Sequence, residues 1–118
     1  MSVKNLGRGP LSIGAMLNDL APDADEGRDV SVRNCVSMPL RDSVQSHFIT
    51  FSGLVADAEH FAVRFGEVSS GSVPLVRMQS ECMTGDVYGS VRCDCGAQLA
   101  QAIDTLQAAG GILLYLRQ

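Results

Sequence analysis

The chain has 118 residues, of which 46% are hydrophobic, and it carries a formal net charge of −4 at pH 7. This length is typical of one domain with a packed core, and the negative charge argues against general nucleic-acid binding, which normally depends on clustered Lys and Arg. No apolar run approaches the roughly 20 residues of a membrane span, and residues 1–14 lack the apolar core of a signal peptide. We therefore expect a cytoplasmic protein with no nucleic-acid or membrane partner.

The first part of the chain, residues 1–32, is expected to be a mobile N-terminal extension. It includes an acidic stretch at 22–27 and shows little periodic apolar pattern. Residues 47–51 and 60–65 are rich in aromatic and β-branched side chains, which predicts a pair of antiparallel strands. Residues 73–78 predict a third strand that leads directly into a cysteine-rich segment.

The period of the apolar residues changes to that of a helix after Cys95. Helical spacing is shown by Leu99, Ala102, Ile103 and Leu106, and a Gly-Gly pair at 110–111 supplies a stop. Residues 112–116 form a continuous apolar run, as expected for a strand covered on both faces. The predicted fold class is α/β (mixed α+β), with antiparallel strands followed by a βαβ unit around a metal site. A strand covered on both faces needs further elements, so we expect the N-terminal part of a larger domain.

Three of the four cysteines, Cys82, Cys93 and Cys95, lie within one short segment. Their C-x10-C-x-C spacing differs from the paired C-x2-C of zinc ribbons. Three protein ligands are typical of catalytic zinc, which keeps a position open for water or substrate. The alternative is a closed structural zinc site completed by His47 or His60.

The fourth cysteine, Cys35, is far from this segment in the sequence. In a reducing compartment the cysteines of this chain are expected to be free or metal-bound rather than disulfide-bonded. Free cysteine is among the most buried residue types, so we expect Cys35 to be a buried small hydrophobe and not a metal ligand.

Several polar residues near the cysteines each have a functional and an ordinary interpretation. Arg77 and Arg92 flank the motif, and a guanidinium suits a phosphate or a purine edge, although either could be solvated surface. Glu81 could bind a guanine edge or a water at the metal, or it could orient a metal ligand. Gln98, in the first turn of the predicted helix, could face the same pocket or be a solvated or capping side chain. Asp94 could cap this helix.

Three ordered segments resemble GTP cyclohydrolase II of riboflavin biosynthesis. They are VRMQSECMTGD at 76–86, SVRCDCGAQL at 90–99 and GILLYLRQ at 111–118. Residues 59–68 also resemble the strand pair that precedes the family motif. The resemblance covers residues 33–118, which we therefore expect to be the N-terminal portion of a GTP cyclohydrolase II-like domain.

This resemblance implies a zinc hydrolase. One zinc ion per chain would be held by Cys82, Cys93 and Cys95 and would activate the water that opens the imidazole ring of GTP, releasing formate. The resemblance also implies Mg2+ on the triphosphate, release of pyrophosphate, a 2,5-diamino-6-ribosylamino-pyrimidinone 5'-phosphate product and a homodimer. It assigns six residues to GTP binding: Arg77, Met78, Gln79, Ser80, Glu81 and Gln98.

Two features depart from the family pattern. The family usually has His where Gln79 stands, so a side chain that can titrate is replaced by a neutral amide. The family also continues beyond Gln118 with its acid/base and nucleophile groups, so no catalytic residue is assigned here and this chain alone is expected to be inactive. The alternatives are a non-catalytic zinc- or nucleotide-binding module and a specialised-pathway homologue with a different product.

Overall fold

The computed structural model describes residues 29–41, 44–55, 58–68 and 71–118. Within these ranges the chain forms five strands and two helices. The strands are β1 (Ser31–Leu40), β2 (Val44–Ser52), β3 (Phe61–Phe65), β4 (Leu75–Ser80) and β5 (Gly111–Leu116). The helices are α1 (Met83–Asp86) and α2 (Cys95–Ala109), and neither is long and apolar enough to cross a membrane.

All five strands belong to one mixed sheet, in the order β1-β2-β3-β5-β4. β1 with β2, β2 with β3, and β3 with β5 are antiparallel pairs, whereas β4 and β5 are parallel. A parallel pair needs a crossover connection, and here that connection contains both helices. The predicted class, an antiparallel group followed by a βαβ unit, is confirmed.

Most of the predicted elements are present with shifted ends. The pair predicted at 47–51 and 60–65 is β2 and β3, and the strand predicted at 73–78 is β4. The helix predicted after Cys95 is α2, which ends at Gly110 with a positive φ of 74°. The extension predicted for residues 1–32 falls almost entirely outside the described residues, although its last two residues belong to β1.

β1 was not predicted, and the expectation that Cys35 is buried is wrong. Cys35 lies on β1 opposite Ile49 of β2, and it is exposed. β1 is an edge strand, paired on one side only, and its residues from Ser31 to Ser37 are all exposed. A strand with solvent on both faces needs no alternation of apolar and polar residues, so the sequence carries no period-two signal there.

Two apolar clusters cover opposite faces of the sheet, because neighbouring residues of a strand point to opposite sides. The first cluster consists of Ile49, Phe51, Ala62 and Ile112. The second consists of Val63, Phe65, Leu106 and Leu113. Leu106 belongs to α2, so this helix packs on the second face and its first residue, Cys95, is fixed relative to the sheet.

We expect Leu106→Ala to lower the free energy of unfolding by about 2–5 kcal/mol, because it leaves a cavity between α2 and the sheet. Leu106 is 1% exposed, whereas Val73 is 97% exposed. The control Val73→Ala should therefore change stability by less than about 0.5 kcal/mol. Urea unfolding followed by circular dichroism measures both, and equal effects of the two variants would contradict the packing described here.

Candidate metal centre

The three predicted cysteines come together beside the carboxyl end of β4. Cys82 lies two residues beyond the end of β4, Cys93 lies in the loop between α1 and α2, and Cys95 is the first residue of α2. Their Sγ atoms all lie within 4.8 Å of one another, and those of Cys82 and Cys93 are 3.7 Å apart. Sulfur ligands about 2.3 Å from a tetrahedral zinc lie about 3.8 Å from each other. The cluster could therefore hold a metal ion without a large rearrangement.

Gly85 provides the space for the three sulfur-bearing side chains. A Cβ at this position would lie 2.8 Å from Cys93 Sγ and 3.2 Å from Cys82 Sγ. A Cβ at Gly96, in the first turn of α2, would overlap with the backbone oxygen of Gly85. Both glycines are needed because the backbones of α1 and α2 approach closely around the sulfur atoms.

Hydrogen bonding makes the three thiols unequal. The pKa of Cys82 is lowered mainly by a hydrogen bond from the backbone N–H of Gly85. Hydrogen bonds with the other two thiols lower it further. Hydrogen bonds with Cys82 and Cys93 raise the pKa of Cys95 to about 12. Since thiolates are the metal ligands, binding of a metal ion would release protons from the cluster.

The structure does not place a histidine in this cluster. Within the described residues, the group that could hold a metal ion contains the three cysteines and neither His47 nor His60. His47 lies in β2 opposite Arg64. His60 precedes β3, and its Nδ1 accepts a hydrogen bond of 2.9 Å from the backbone N–H of Arg117. The closed site completed by a histidine is therefore not the arrangement found here.

Three of the six residues predicted to bind GTP meet between β4 and α2. Arg77 Nη2 donates hydrogen bonds to Gln79 Oε1 at 3.1 Å and to Gln98 Oε1 at 3.0 Å. Gln98 Nε2 in turn donates to the Asp94 carboxylate at 2.7 Å. Asp94 occupies the N-cap position of α2, but its side chain makes no capping hydrogen bond to the backbone. A groove of about 250 Å³ runs along this side of β4 and is lined by Arg77 and Gln98.

The family model of GTP cyclohydrolase II matches residues 32–118. The chain belongs to the GTP cyclohydrolase II family. The predicted family is thus confirmed, and the matched range contains every residue predicted to bind zinc or GTP.

Individual relatives show the same likeness over part of their length. The GTP cyclohydrolase-2 of Psychromonas ingrahamii is 44% identical over 90 residues, which cover 74% of this chain and 45% of that protein. The GTP cyclohydrolase-2 of Aliivibrio fischeri is 49% identical over 79 residues, 66% of this chain and 40% of that protein. That of Vibrio vulnificus is 45% identical over 91 residues, 76% of this chain and 46% of that protein. The chain spans about half the length of the curated relatives it matches.

Glu81 faces the end of β5. Its Oε1 accepts a hydrogen bond from Arg117 Nε and its Oε2 accepts one from the backbone N–H of Gln118, both at 2.9 Å. The Glu81 side chain is only 10% exposed. Both carboxylate oxygens are therefore engaged in holding the chain that leaves β5.

The other residues predicted near the site are more exposed. Met78 and Ser80 lie on the face of β4 opposite to Arg77 and Gln79, because strand residues alternate, and both are exposed. Arg92 is exposed on the loop that carries Cys93, and its backbone N–H donates to Ser90 Oγ at 3.3 Å. The structure thus brings Arg77, Gln79 and Gln98 together, and leaves Met78 and Ser80 on the other face.

Sequence reasoning missed two residues beside the metal centre, Asp86 and Tyr115. The Tyr115 hydroxyl donates a hydrogen bond of 2.6 Å to Asp86 Oδ2, and the backbone N–H of Cys82 donates to the same oxygen at 3.1 Å. Burial, reinforced by Asp86, raises the pKa of Tyr115, so its hydroxyl stays a donor at neutral pH. The available signal was a tyrosine within an apolar strand, since a buried hydroxyl needs a partner.

We expect Gly85→Ala to lower the metal content of the reconstituted chain to a small fraction of the parent value, because the added Cβ occupies the space of two sulfur atoms. The control is Met83→Ala on the same helix, where the side chain is exposed and no sulfur is crowded. Elemental analysis of reduced, dialysed protein measures both variants. Full metal content in Gly85→Ala would show that the ion is not held by this cluster.

Proposed function

We propose that this chain forms the zinc-binding part of a GTP cyclohydrolase II, which opens the imidazole ring of GTP in riboflavin biosynthesis. The observation that carries the proposal is the cluster of three thiols, with Sγ atoms within 4.8 Å, in a chain that belongs to this family. The family match supports GTP as the substrate, and the three thiols support the metal-dependent hydrolysis that is proposed. The proposed unit is residues 33–118, with residues 1–32 as an extension.

The proposed metal ligands are the thiolates of Cys82, Cys93 and Cys95, which hold one zinc ion per chain. Sulfur ligands select zinc over Mg2+ or Ca2+, which prefer oxygen. Three protein ligands leave one tetrahedral position open, and bound zinc supplies Lewis-acid chemistry that activates water for hydrolysis. The chain's own contribution is to keep the three sulfur atoms close together around Gly85.

The proposed GTP site adjoins this centre in the groove between β4 and α2. Arg77 is held by the two amide oxygens of Gln79 and Gln98, so its guanidinium is already oriented. Its Nε atom is buried without a hydrogen-bond partner in the described part of the chain. A guanidinium in a fixed orientation suits the acceptor edge of guanine or a phosphate oxygen.

The other members of the predicted GTP segment take different parts in this proposal. Gln79 acts by orienting Arg77, and Glu81 acts by holding the segment that follows β5. Met78 and Ser80 stay in the proposal as neighbours at the carboxyl end of β4, where ligands of open α/β sheets commonly bind. Mg2+ on the triphosphate, a homodimer and a cytoplasmic location complete the proposal on the strength of the family resemblance.

The second candidate function is a non-catalytic zinc- or nucleotide-binding module. It requires only the binding groups described above, which are the three thiols and the oriented Arg77. Binding of GTP without release of formate by the physiological form of this protein would support the module. Formate release would support the enzyme.

We expect the reduced chain to contain about one zinc ion, and Cys93→Ala to lose most of it, because two sulfur ligands bind zinc far more weakly than three. Cys35→Ala is the matched control, since Cys35 is an exposed thiol on β1. Elemental analysis together with titration of free thiols measures the loss. Equal zinc contents in the two variants would contradict the proposed ligand set.

We expect the zinc-loaded chain to bind GTP while releasing little or no formate, because no acid/base group is assigned within it. Arg77→Ala should weaken GTP binding at least about tenfold, as expected for loss of a charged hydrogen bond. The matched control is Arg33→Ala. Arg33 lies on β1, at the opposite edge of the sheet from β4, and its exposed guanidinium pairs with Glu59. Calorimetric titration measures affinity and a coupled formate assay measures turnover. Binding unaffected by Arg77→Ala would contradict the proposed groove.

A further inference from the structure

We infer that Asp86 is a positioning residue for the metal centre: it fixes the loop that carries the first ligand, and Tyr115 and Gln79 act through it. This inference rests on the proposed zinc site. Asp86 does not belong to the cluster of possible ligand atoms. Its carboxylate accepts hydrogen bonds from three donors, which are the Tyr115 hydroxyl, the backbone N–H of Cys82 and Gln79 Nε2.

Asp86 closes the metal loop, residues 82–86, on itself. Its backbone N–H donates to the carbonyl oxygen of Cys82 at 2.7 Å, and the backbone N–H of Cys82 donates back to Asp86 Oδ2 at 3.1 Å. This reciprocal pair resembles a capping box, in which a first-turn acidic side chain satisfies the N–H of the N-cap residue. The two ends of this five-residue segment are thereby tied together, with Gly85 between them.

Tyr115 connects this loop to the sheet. It lies on β5, is 8% exposed, and stacks on Phe61 of β3 with ring centroids 4.9 Å apart. The hydroxyl is thus held by a rigid ring, and its 2.6 Å hydrogen bond fixes the Asp86 carboxylate. α1 has only four residues, too few to be stable alone. Its position therefore depends on such contacts with the sheet.

Gln79 connects the same carboxylate to the proposed GTP groove. It is 4% exposed, its Nε2 donates to Asp86 Oδ1 at 3.4 Å, and its Oε1 accepts from Arg77. The two oxygens of Asp86 thus serve three donors from β4, β5 and the metal loop. These hydrogen bonds are partly shielded from water, so removing their shared acceptor leaves several donors unsatisfied.

The test measures Co2+ affinity and absorption spectrum, because cobalt–thiolate bands report on ligand geometry as well as on binding. We expect Asp86→Ala to weaken Co2+ binding about 10–100-fold, the usual effect of losing a group that orients a metal ligand. It should also shift the visible bands of the residual complex. Asp86→Asn keeps one carbonyl oxygen for the Cys82 N–H, so its affinity should lie between those of Asp86→Ala and the parent.

A gentler variant keeps the test valid if Asp86→Ala does not fold. Tyr115→Phe retains the ring that stacks on Phe61 and removes only the hydroxyl. We expect a smaller loss of Co2+ affinity in this variant. Adding Tyr115→Phe to Asp86→Asn should reduce the affinity by less than Tyr115→Phe does in the parent, because the two residues share one hydrogen bond. Non-additivity of this kind is the signature of two residues acting through one contact. The control is Asp104→Asn, an exposed carboxylate on α2.

The outcomes separate the two proposals. Cobalt–thiolate absorption that is present in the parent and lost in Cys93→Ala supports the zinc site. The role of Asp86 is supported only if the Asp86 and Tyr115 variants also weaken or shift this absorption. Affinity and bands unchanged in these variants, as in Asp104→Asn, would overturn the role of Asp86 and leave the zinc site intact. Absence of these bands in the parent would overturn both.

Discussion

The parallel pairing of β4 with β5 is the constraint on which the site depends. Because parallel strands end at the same edge of a sheet, the segments after Ser80 and after Leu116 leave side by side. The backbone N–H of Glu81 donates to the carbonyl oxygen of Leu116 at 2.8 Å and so extends the pairing by one step. The strand pairing therefore fixes the metal loop next to the residues that follow β5, without any bound ligand.

The crossover that this pairing requires also supplies the remaining parts of the centre. It contains residues 81–110 with α1 and α2, so all three thiols lie on this connection. α2 is held to the sheet by Leu106, which is almost completely buried. The distance between Cys82 and Cys95 is thus set by the packing of a helix on a sheet, and the close approach at Gly85 and Gly96 allows the sulfur atoms to meet.

The sequence predicted the parts of this structure that have a local signal. β2, β3 and β5 were recognisable from apolar residue type, and α2 from its period, while the cysteine spacing and the family resemblance indicated the three thiols. β1 could not be predicted, because its residues from Ser31 to Ser37 have solvent on both faces and need no alternation, and the exposure of Cys35 follows from the same position. The contact between Asp86 and Tyr115 joins residues 29 positions apart and has no local signal.

Gln79 shows how a departure from the family pattern can be compatible with the same site. Its buried amide accepts a hydrogen bond from Arg77 on one side and donates one to Asp86 on the other. A neutral histidine, the usual family residue, also has one donor and one acceptor nitrogen and could bridge the same partners. A protonated histidine would turn a second donor towards the Arg77 guanidinium. Glutamine therefore retains the bridging pattern and removes the charge change, so the orientation of Arg77 does not depend on the protonation of its neighbour.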